Sequence, residues 1–453
     1  MPDGVEQTSF LPEEVFDFEI EATDEPLIAR AGLVLPHQMA KALGLPRCVD
    51  RELPAPGSPR GYAPSAFVMP IVLMLHGGGK ALDDLREVEA EVSLCKLLHM
   101  EELPDSTTVG DWLRRMGQDG RGLAGLERVN DYLAGRVMEK QRVREYVLDV
   151  DATIIESEKK AAQWTYKKEK GYQPMLGFLQ AGGGLLAPAE GLRGLAVADE
   201  FREGNVPAGA EAVAFLEKCA KKVPDGSRLG AVRSDSAWYQ AEVFNWCQQR
   251  GVRFAICADQ DSAVKEVIHS IAEGDWQEYK GDRQIAETVH TMKETKEAFR
   301  LVVLRWPKEQ PELFDPEPYF YHAIASGGVV EASEPSSKEV MDFYNQRGEM
   351  ENWIKELKEG FGMEWLPCGE SYANAVYFRL GVIAYNLFVA MKVLSLPGPW
   401  QRYTIRTVRW KLYEVAGRVL YESRRVILKL ATSVEKVKLL LEAKREVQRL
   451  ATI

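Results

Sequence analysis

Apolar residues recur with helical spacing through the first 140 residues of the chain. The segments PHQMAKALGL, AFVMPIVLMLHGGGKALDDLREVEAEVSLCKLL and DSTTVGDWLRRMG place apolar positions three or four residues apart. A Pro- and Gly-rich stretch, ELPAPGSPRGYAP, separates the first two segments and indicates an internal boundary. We therefore predict a helical N-terminal region over residues 1–140.

One of these predicted helices is a candidate DNA-contacting unit. In PDSTTVGDWLRRM, Asp105 or Ser106 is placed to cap a helix whose apolar residues share one face. Arg114 and Arg115 lie outside that face. A small DNA-contacting unit and an ordinary solvated amphipathic helix fit this pattern equally well.

From Tyr146 the pattern changes to the alternation typical of strands. The runs YVLDVDATII, GYQPMLGFLQAGGGLLA and GLAVADEFREG are separated by turn residues. A helix over 209–222 follows, then the strand RLGAVRSDS, the helix WYQAEVFNWCQQRG and the strand RFAICAD. The resulting order, β-β-β-α-β-α-β, is typical of an RNase H-like core, whose first part we assign to residues 141–258.

Four further strand-like runs, DWQEYKG, IAETVHTM, AFRLVVLRW and YFYHAIAS, predict a β-rich insertion over 259–335. Helical periodicity resumes at Ser336, so residues 336–395 form the second part of the core and residues 396–453 a basic helical tail. The predicted fold class is α/β: an RNase H-like mixed sheet interrupted by a β-rich insertion, with helical regions at both ends.

Composition changes this picture little, but the distribution of charge matters. A chain of 453 residues with 45% hydrophobic residues indicates a globular protein of two to four domains. The formal net charge of −11 argues, taken alone, against a nucleic-acid partner. The segment from Arg402 to Arg449 nevertheless contains thirteen Lys and Arg against five Glu. The tail is therefore a candidate for DNA or dimer contacts.

The cysteines and the apolar runs indicate an intracellular protein. Six scattered cysteines form no C-x-x-C pair, and the N-terminus lacks the features of a signal peptide. The longest apolar runs, Ser65 to Leu75 and Leu380 to Met391, are shorter than the roughly 20 residues of a spanning helix and predict core helices. We expect a cytoplasmic protein without a membrane partner.

Acidic residues interrupt two of the predicted strands of the core. Asp149 and Asp151 lie two apart in LDVDATII and therefore share one face of the sheet. A divalent cation is one compensation for a carboxylate there, and hydrogen bonding to turn amides is an equal alternative. Asp235, in LGAVRSDSAW, follows a strand and precedes a helix, where a helix cap is about twice as common as a metal ligand.

A third pattern lies in YNQRGEMENWIKELK. Tyr344, Arg347, Glu351 and Lys358 share a sector of about 60° on an ideal α-helix, at about 100° per residue. A carboxylate between two cations and a phenol suits a metal ligand beside a phosphate backbone. A surface helix with ordinary ion pairs fits the same spacing.

Together these residues resemble the bacterial insertion-sequence transposases of the DDE type, in the branch with a Y-(2)-R-(3)-E-(6)-K signature. The signature matches without a gap, Asp151 stands in D-A-T after a strand, and Asp235 stands in R-S-D-S before a helix. The resemblance also covers LHGGGKALDDLRE, REGN at 202–205 and RTVRWKLYEVAGRVL in the tail. Because two acids occupy the first position, Asp149 stays an alternative to Asp151.

The resemblance implies a DNA transposase that binds two Mg²⁺ or Mn²⁺ ions through Asp151, Asp235 and Glu351. It implies cleavage at terminal inverted repeats and transfer of the 3′ ends into target DNA, with a hairpin intermediate as one route. Arg347 and Lys358 would hold phosphates and Tyr344 a backbone oxygen. The expected partners are double-stranded DNA and a second protomer in the DNA complex, associated with the bacterial nucleoid.

In that family an aromatic residue of the β-rich insertion stacks on a flipped base, and Trp276 and Trp306 are the candidates here. Packing inside the insertion is the more common role for either one. The alternatives for the whole chain are a catalytically silent DNA-binding remnant or regulator, an RNase H-like nuclease that does not join DNA, and a metal-free protein whose acids cap helices. The sequence HGGGKA does not fit a phosphate-binding loop, because Ala81 replaces the required hydroxyl residue.

Overall fold

The structure is a computed structural model, and it describes residues 19–58, 60–100, 102–182, 191–308, 317–328, 334–422 and 425–451. The helices are α1 Val34–Ala42, α2 Leu45–Glu52, α3 Pro64–Gly77, α4 Leu85–Glu89, α5 Val92–Leu98, α6 Ser106–Gln118, α7 Arg121–Gln141, α8 Ala212–Ala220, α9 Ala241–Gln249, α10 Ser262–His269, α11 Ser337–Asn345, α12 Gly348–Lys355, α13 Ser371–Ser395, α14 Ile405–Val408 and α15 Val434–Ala451. The strands are β1 Leu27–Ile28, β2 Glu145–Ala152, β3 Ile155–Glu156, β4 Gln163–Trp164, β5 Lys170–Tyr172, β6 Met175–Ala181, β7 Leu195–Glu200, β8 Arg228–Ser234, β9 Arg253–Cys257, β10 Gln277–Glu278, β11 Gln284–His290, β12 Phe299–Pro307, β13 Tyr319–Gly327, β14 Gly417–Glu422 and β15 Arg425–Leu430.

The N-terminal region is helical, and its helices pack into the main hydrophobic core. Helix α3 is apolar on all sides and almost entirely buried, which explains its run of large aliphatic residues. Helix α6 begins after Asp105, whose carboxylate accepts a hydrogen bond from the Thr108 amide at 2.9 Å. The N-cap is therefore Asp105 rather than Ser106. Arg114 of α6 pairs with Asp111 and Glu370.

The central sheet has the order predicted for an RNase H-like core. Strand β6 pairs antiparallel with β2 on one side and with β7 on the other, and β8 and β9 lie parallel to β2 on its other side. Helix α8 connects β7 to β8, and helix α9 connects β8 to β9. This part of the sheet therefore has the order β7-β6-β2-β8-β9.

The β-rich insertion extends the same sheet. Strand β13 pairs antiparallel with β9, and β12, β11 and β10 follow outward, giving nine strands in all within the described residues. Helix α10 covers one face of this extension through Val264 and Ile268, which pack on Leu301, Val303 and Ala323. The insertion is a direct continuation of the sheet that carries the predicted acids.

The two faces of the central sheet bury different helices. Gly177 of β6 lies against α8, since a Cβ there would come within 2.6 Å of Cys219 Sγ. On the opposite face, Val147 of β2 belongs to the cluster that contains Phe343 and Tyr344 of α11. Helix α11, which carries Tyr344 of the predicted signature, thus packs on the face to which Val147 and Asp149 project.

Helix α13 holds the N-terminal helices against the edge of the sheet. Arg379 Nε donates a bifurcated hydrogen bond to both oxygens of the buried Asp199 carboxylate, at 2.9 and 3.0 Å, and Arg379 Nη1 donates to the Leu123 carbonyl. The helix is long and apolar enough to cross a membrane, but 83% of its apolar window is buried by the rest of the protein. The packing is that of a core helix, as predicted.

The C-terminal tail ends in a helix, as predicted, but its first half differs from the expectation. Residues Gly417–Glu422 and Arg425–Leu430 form an antiparallel hairpin, and β14 also pairs with β1. The stretch RVILKL contains the β-branched residues Val426 and Ile427, and we misinterpreted it as part of an amphipathic helix. Strand β14 pairs both with β15 and with β1, which is nearly 400 residues away in sequence, and this tertiary contact favours the hairpin over a helix.

Candidate active site at the ends of β2 and β8

Parallel pairing of β2 with β8 brings two of the predicted acids together. In this pairing Asp149 lies opposite Arg233, and Val150 lies opposite Ser234. When the same register is extended by one residue, Asp151 lies beside Asp235, at the carboxyl ends of two neighbouring parallel strands. Asp149 and Asp151 share a face because side chains alternate along a strand.

Asp149 is committed to a buried ion pair. Its carboxylate accepts hydrogen bonds from Arg233 Nε at 2.7 Å, Arg233 Nη2 at 2.8 Å and Gln180 Nε2 at 2.9 Å. Arg233 also donates to the Phe343 carbonyl at 2.8 Å and lies over the Phe343 ring. Both charged side chains are fully buried. The pair connects the middle of the sheet to helix α11.

Asp151 lies nearer the surface and has no comparable partner. Its side chain is 16% exposed, and Arg347 Nη1 lies 3.5 Å from Oδ2. Burial, followed by the negative charge of Asp235, raises the pKa of Asp151 to about 7, and Glu351 adds to this effect. Asp235 caps the turn at Ser236–Trp238, accepting a hydrogen bond from the Ala237 amide at 3.1 Å. The three predicted acids therefore interact electrostatically around Asp151.

The signature segment is not the single α-helix assumed from its spacing. Helix α11 ends at Asn345, a tight turn follows at 346–347, and α12 runs from Gly348 to Lys355. A π-helical turn over Glu356–Gly360 completes the segment. Hydrogen bonds from Arg347 N to Tyr344 O and from Met350 N to Arg347 O, three residues apart, tighten the chain there. The angular positions calculated for an ideal helix are therefore wrong in detail.

The break nevertheless leaves Arg347 between two acids. Arg347 Nη1 lies 3.5 Å from Asp151 and 3.7 Å from Glu351 Oε1. Glu351 has a side chain that is 71% exposed. One guanidinium thus links the first and third predicted acids.

Tyr344 and Lys358 lie on either side of this arrangement. The Tyr344 side chain is nine-tenths buried and lies near Arg347, and it contributes to the raised pKa of that guanidinium. Burial, followed by the nearby Cys257, raises the pKa of Tyr344. Lys358 Nζ donates to the Ile154 carbonyl at 2.7 Å, three residues beyond Asp151.

The two candidate tryptophans of the insertion lie on opposite faces of the sheet. Trp276 packs on the α10 side, with the Arg305 guanidinium 4.2 Å from its ring centre. Trp306 packs with Phe320 and belongs to the hydrophobic cluster that contains Tyr344. Only Trp306 of the pair is on the face that carries the signature segment.

A known protein family accounts for this combination of fold and acids. Residues 17–452 match the model of the transposase DDE domain, group 1. The chain belongs to the DDE transposase family. It is accordingly an enzyme that acts on DNA by strand cleavage and transfer, and its fold agrees with that assignment. A search of curated proteins finds no match to this transposase.

DDE transposases generally use divalent metal ions, and the acids offer a partial fit to such an ion. Two adjacent carboxylates at Asp151 and Asp235 are hard oxygen donors of the kind that Mg²⁺ and Mn²⁺ bind. Burial, followed by the carboxylate of Asp235, raises the pKa of Asp151, and a bound cation would favour the charged form of both acids. In the part of the chain that the structure describes, however, no three His, Cys, Asp or Glu side chains converge closely enough to hold a metal.

The sequence reasoning missed Arg233 and Gln180, which hold Asp149 in the transposase core. A signal was available, because Arg233 stands two residues before Asp235 just as Asp149 stands two before Asp151. Parallel pairing in register turns that repeat into an Asp149–Arg233 pair next to an Asp151–Asp235 pair. The register of the two strands is not known from the sequence, so this repeat predicts the pairing only after the strands have been placed side by side.

The turn before β7 also positions the signature segment. Gly194 has φ +65°, and a Cβ there would lie 2.6 Å from the Trp353 ring of α12. Arg193 beside it pairs with Glu349 of α12 at 3.1 Å. Helix α12 therefore rests directly on the backbone of this turn.

Proposed function

We propose that this transposase cleaves DNA at the ends of a transposon and joins the freed 3′ ends to target DNA. The observation that carries the proposal is the placement of Asp151 and Asp235 at adjacent strand ends, with Glu351 linked to Asp151 through Arg347. Acids gathered at the carboxyl ends of strands are suited to phosphoryl transfer.

We assign metal ligation to Asp151, Asp235 and Glu351, with Mg²⁺ or Mn²⁺ as two ions per site. Such ions activate an attacking oxygen and stabilise a leaving 3′ oxygen when they are bound. Asp151 is preferred to Asp149 as the first ligand because the oxygens of Asp149 are engaged by Arg233 and Gln180. Glu351 would join the other two acids by a change of side-chain rotamer, for which its exposure leaves room.

Arg347 and Lys358 are assigned to phosphate groups of the DNA. The distances from Arg347 to its two acids, 3.5 and 3.7 Å, exceed those of a tight ion pair. Its guanidinium therefore keeps donors for a phosphate oxygen. Lys358 donates one hydrogen bond to the Ile154 carbonyl, and its ammonium has two further donors. Tyr344 acts mainly by positioning Arg347, since its own ring is buried.

Trp306 is the better candidate for stacking on a base near the cleaved end. It packs on the sheet face of the signature segment, whereas Trp276 lies on the opposite face beneath Arg305. Stacking of one base on an aromatic ring is worth about 1–3 kcal/mol. The helical residues 1–140 and the basic tail are assigned to further DNA contacts and to a homodimer that pairs two ends. The enzyme would act on nucleoid DNA in the bacterial cytoplasm.

Metal-dependent cleavage tests the first half of this proposal. Labelled DNA carrying the inverted repeats that flank the gene would be incubated with Mg²⁺, Mn²⁺ or EDTA. We expect nicking at the repeat boundary with either metal and none with EDTA. Glu351→Gln should abolish nicking, whereas Glu359→Gln, another exposed and ion-paired acid of the same segment, should not. Specific binding without nicking in any metal would favour a silent regulator instead.

Strand transfer tests the second half. Pre-cleaved ends with a 3′-hydroxyl would be mixed with a target plasmid, and ends with a 3′-deoxy terminus would be the control. Joined products from the hydroxyl ends alone would support a transposase that joins DNA. Nicking without any joined product would indicate a nuclease of the same fold.

A further inference from the structure

A small sheet projects from the core immediately after the first predicted ligand. Strands β3, β5 and β4 pair antiparallel in that order, and we call residues 155–172 the hairpin module. It begins four residues after Asp151. A hydrogen bond from Thr153 N to Pro174 O closes its base. No strand was predicted from the sequence over residues 156–170.

The inner side of the module is anchored to the segment that follows the signature. Lys159 Nζ donates to the carbonyls of Leu366 and Cys368, the latter at 2.6 Å. Tyr172 is fully buried and forms an isolated β-bridge with Glu203. Lys358 reaches the carbonyl of Ile154 at the base of the module. The position of the module relative to Asp151 is therefore fixed by contacts on several sides.

The outer side of the module exposes two large aromatic rings. Trp164 is 66% exposed and Tyr166 is 73% exposed, whereas Thr165 between them is buried. Trp164 ends β4, and Tyr166 follows in the turn that the hydrogen bond from Lys168 N to Thr165 O closes, so the two exposed rings are neighbours at the tip of the module. Exposed rings contribute little to the stability of the fold, and aromatic residues on an accessible surface are a common means of binding bases.

Lysines flank these rings in sequence, and the Lys167 ammonium lies 5.9 Å from the centre of the Tyr166 ring. The hairpin module, residues 155–172, contains five Lys and three Glu, in a chain whose formal net charge is −11. Lys160, Lys167 and Lys168 are exposed, and none of the three forms an ion pair with a described residue. The module therefore offers unpaired cations beside aromatic faces, a combination that suits a nucleic-acid strand.

We propose that the hairpin module binds the DNA strand beside the cleavage site, with Lys160, Lys167 and Lys168 on phosphates and Trp164 and Tyr166 stacked on bases. The inference rests on the proposed function, because it places the scissile DNA at Asp151 and Asp235. In this proposal the module binds the part of the DNA that extends from the active site past Ile154.

Salt-dependent binding tests the lysines. The dissociation constant for labelled end DNA would be measured in EDTA by fluorescence anisotropy over a series of salt concentrations, in the Glu351→Gln background so that cleavage cannot interfere. Combined Lys160→Ala, Lys167→Ala and Lys168→Ala should lower the slope of log Kd against log salt by about 2.7, at about 0.9 per lost phosphate contact.

The matched control removes three exposed lysines elsewhere on the surface, at Lys221, Lys265 and Lys296. These changes should leave the slope unaltered. An unchanged slope in the module variant, or an equal loss in the control, would overturn the proposal. If the protein nicks end DNA normally but the lysine changes do not alter the slope, the DNA-binding role of the module is refuted and the proposed function stands. If the lysine changes lower the slope as expected but the protein does not nick DNA, the proposed catalysis is refuted and the role of the module stands.

The aromatic residues are tested separately. Trp164→Ala with Tyr166→Ala should weaken binding roughly tenfold or more per ring, while Trp164→Phe with Tyr166→Phe should restore most of it. The urea midpoint of each variant would be measured alongside. If the alanine variant unfolds early, the phenylalanine pair and the lysine variant decide the question. Unaltered affinity in a stable alanine variant would show that the rings serve another partner, such as a protein.

Discussion

Asp149 and Asp151 lie two residues apart on β2, and we predict that their substitution has different effects. Substitution of Asp149 should lower the stability of the fold, whereas substitution of Asp151 should abolish nicking. Asp149→Asn removes the charge that balances the fully buried Arg233. The guanidinium would retain only the Phe343 carbonyl and ring as partners, together with a neutral amide. Breaking a buried ion pair by removing one partner costs about 3–5 kcal/mol.

That loss is large against the total stability of a protein, about 5–15 kcal/mol. Urea unfolding in EDTA would measure it from the midpoint and slope of the transition. We expect Asp149→Asn to lower the free energy of unfolding by about 3–5 kcal/mol. The double variant Asp149→Leu with Arg233→Met should recover most of the loss, because no uncompensated charge remains.

Nicking of end DNA, assayed well below the unfolding midpoint, separates structure from chemistry. The folded fraction of the double variant should retain activity within about one order of magnitude, since neither residue is assigned to the metal. If Asp149→Asn keeps the wild-type midpoint but abolishes nicking, Asp149 is a ligand and our choice of Asp151 is wrong.

Three further predictions follow from the site. The pKa of Asp151 is raised from 3.8 to about 7, so its ionisation destabilises the folded state by up to about 4 kcal/mol above pH 7 and has no effect on stability below pH 4. Asp151→Asn should therefore increase the free energy of unfolding in EDTA at pH 8 but not at pH 4. A difference in stability that is the same at both pH values would refute this prediction. Gly194→Ala should cost about 1–3 kcal/mol by urea unfolding and slow nicking, because of its positive φ and the Trp353 ring; a wild-type midpoint would show that the turn adapts. Trp306→Ala should reduce nicking of end DNA more than Trp276→Ala, and the reverse order would place the DNA on the other face of the sheet.

Local patterns were sufficient to predict the core strands and the helices between them. The strands around Asp151 and Asp235 are long enough for apolar alternation to be visible, and turn residues separate them. The strands of the hairpin module have only two or three residues each, too few for any period to emerge. Their pairing depends on contacts with the loop around Glu203.

Nonlocal contacts account for what was missed at the site. The partner of Asp149 is Arg233, 84 residues away, and it is selected by strand register rather than by sequence spacing. The turn at Arg347 interrupts a segment whose composition suits a continuous helix. It follows the packing of Tyr344 and Phe343 against the sheet, a tertiary effect that helical periodicity cannot indicate.

The most direct test of the account is the rate of nicking in Mg²⁺ by three single variants, Asp151→Asn, Asp235→Asn and Glu351→Gln, each shown to be folded by its urea midpoint. We predict that all three lose nicking by at least about a thousandfold while they still bind end DNA, since each removes one ligand of a single site. Nicking at near the wild-type rate by any one of them would contradict the assignment of that residue and the three-acid site itself.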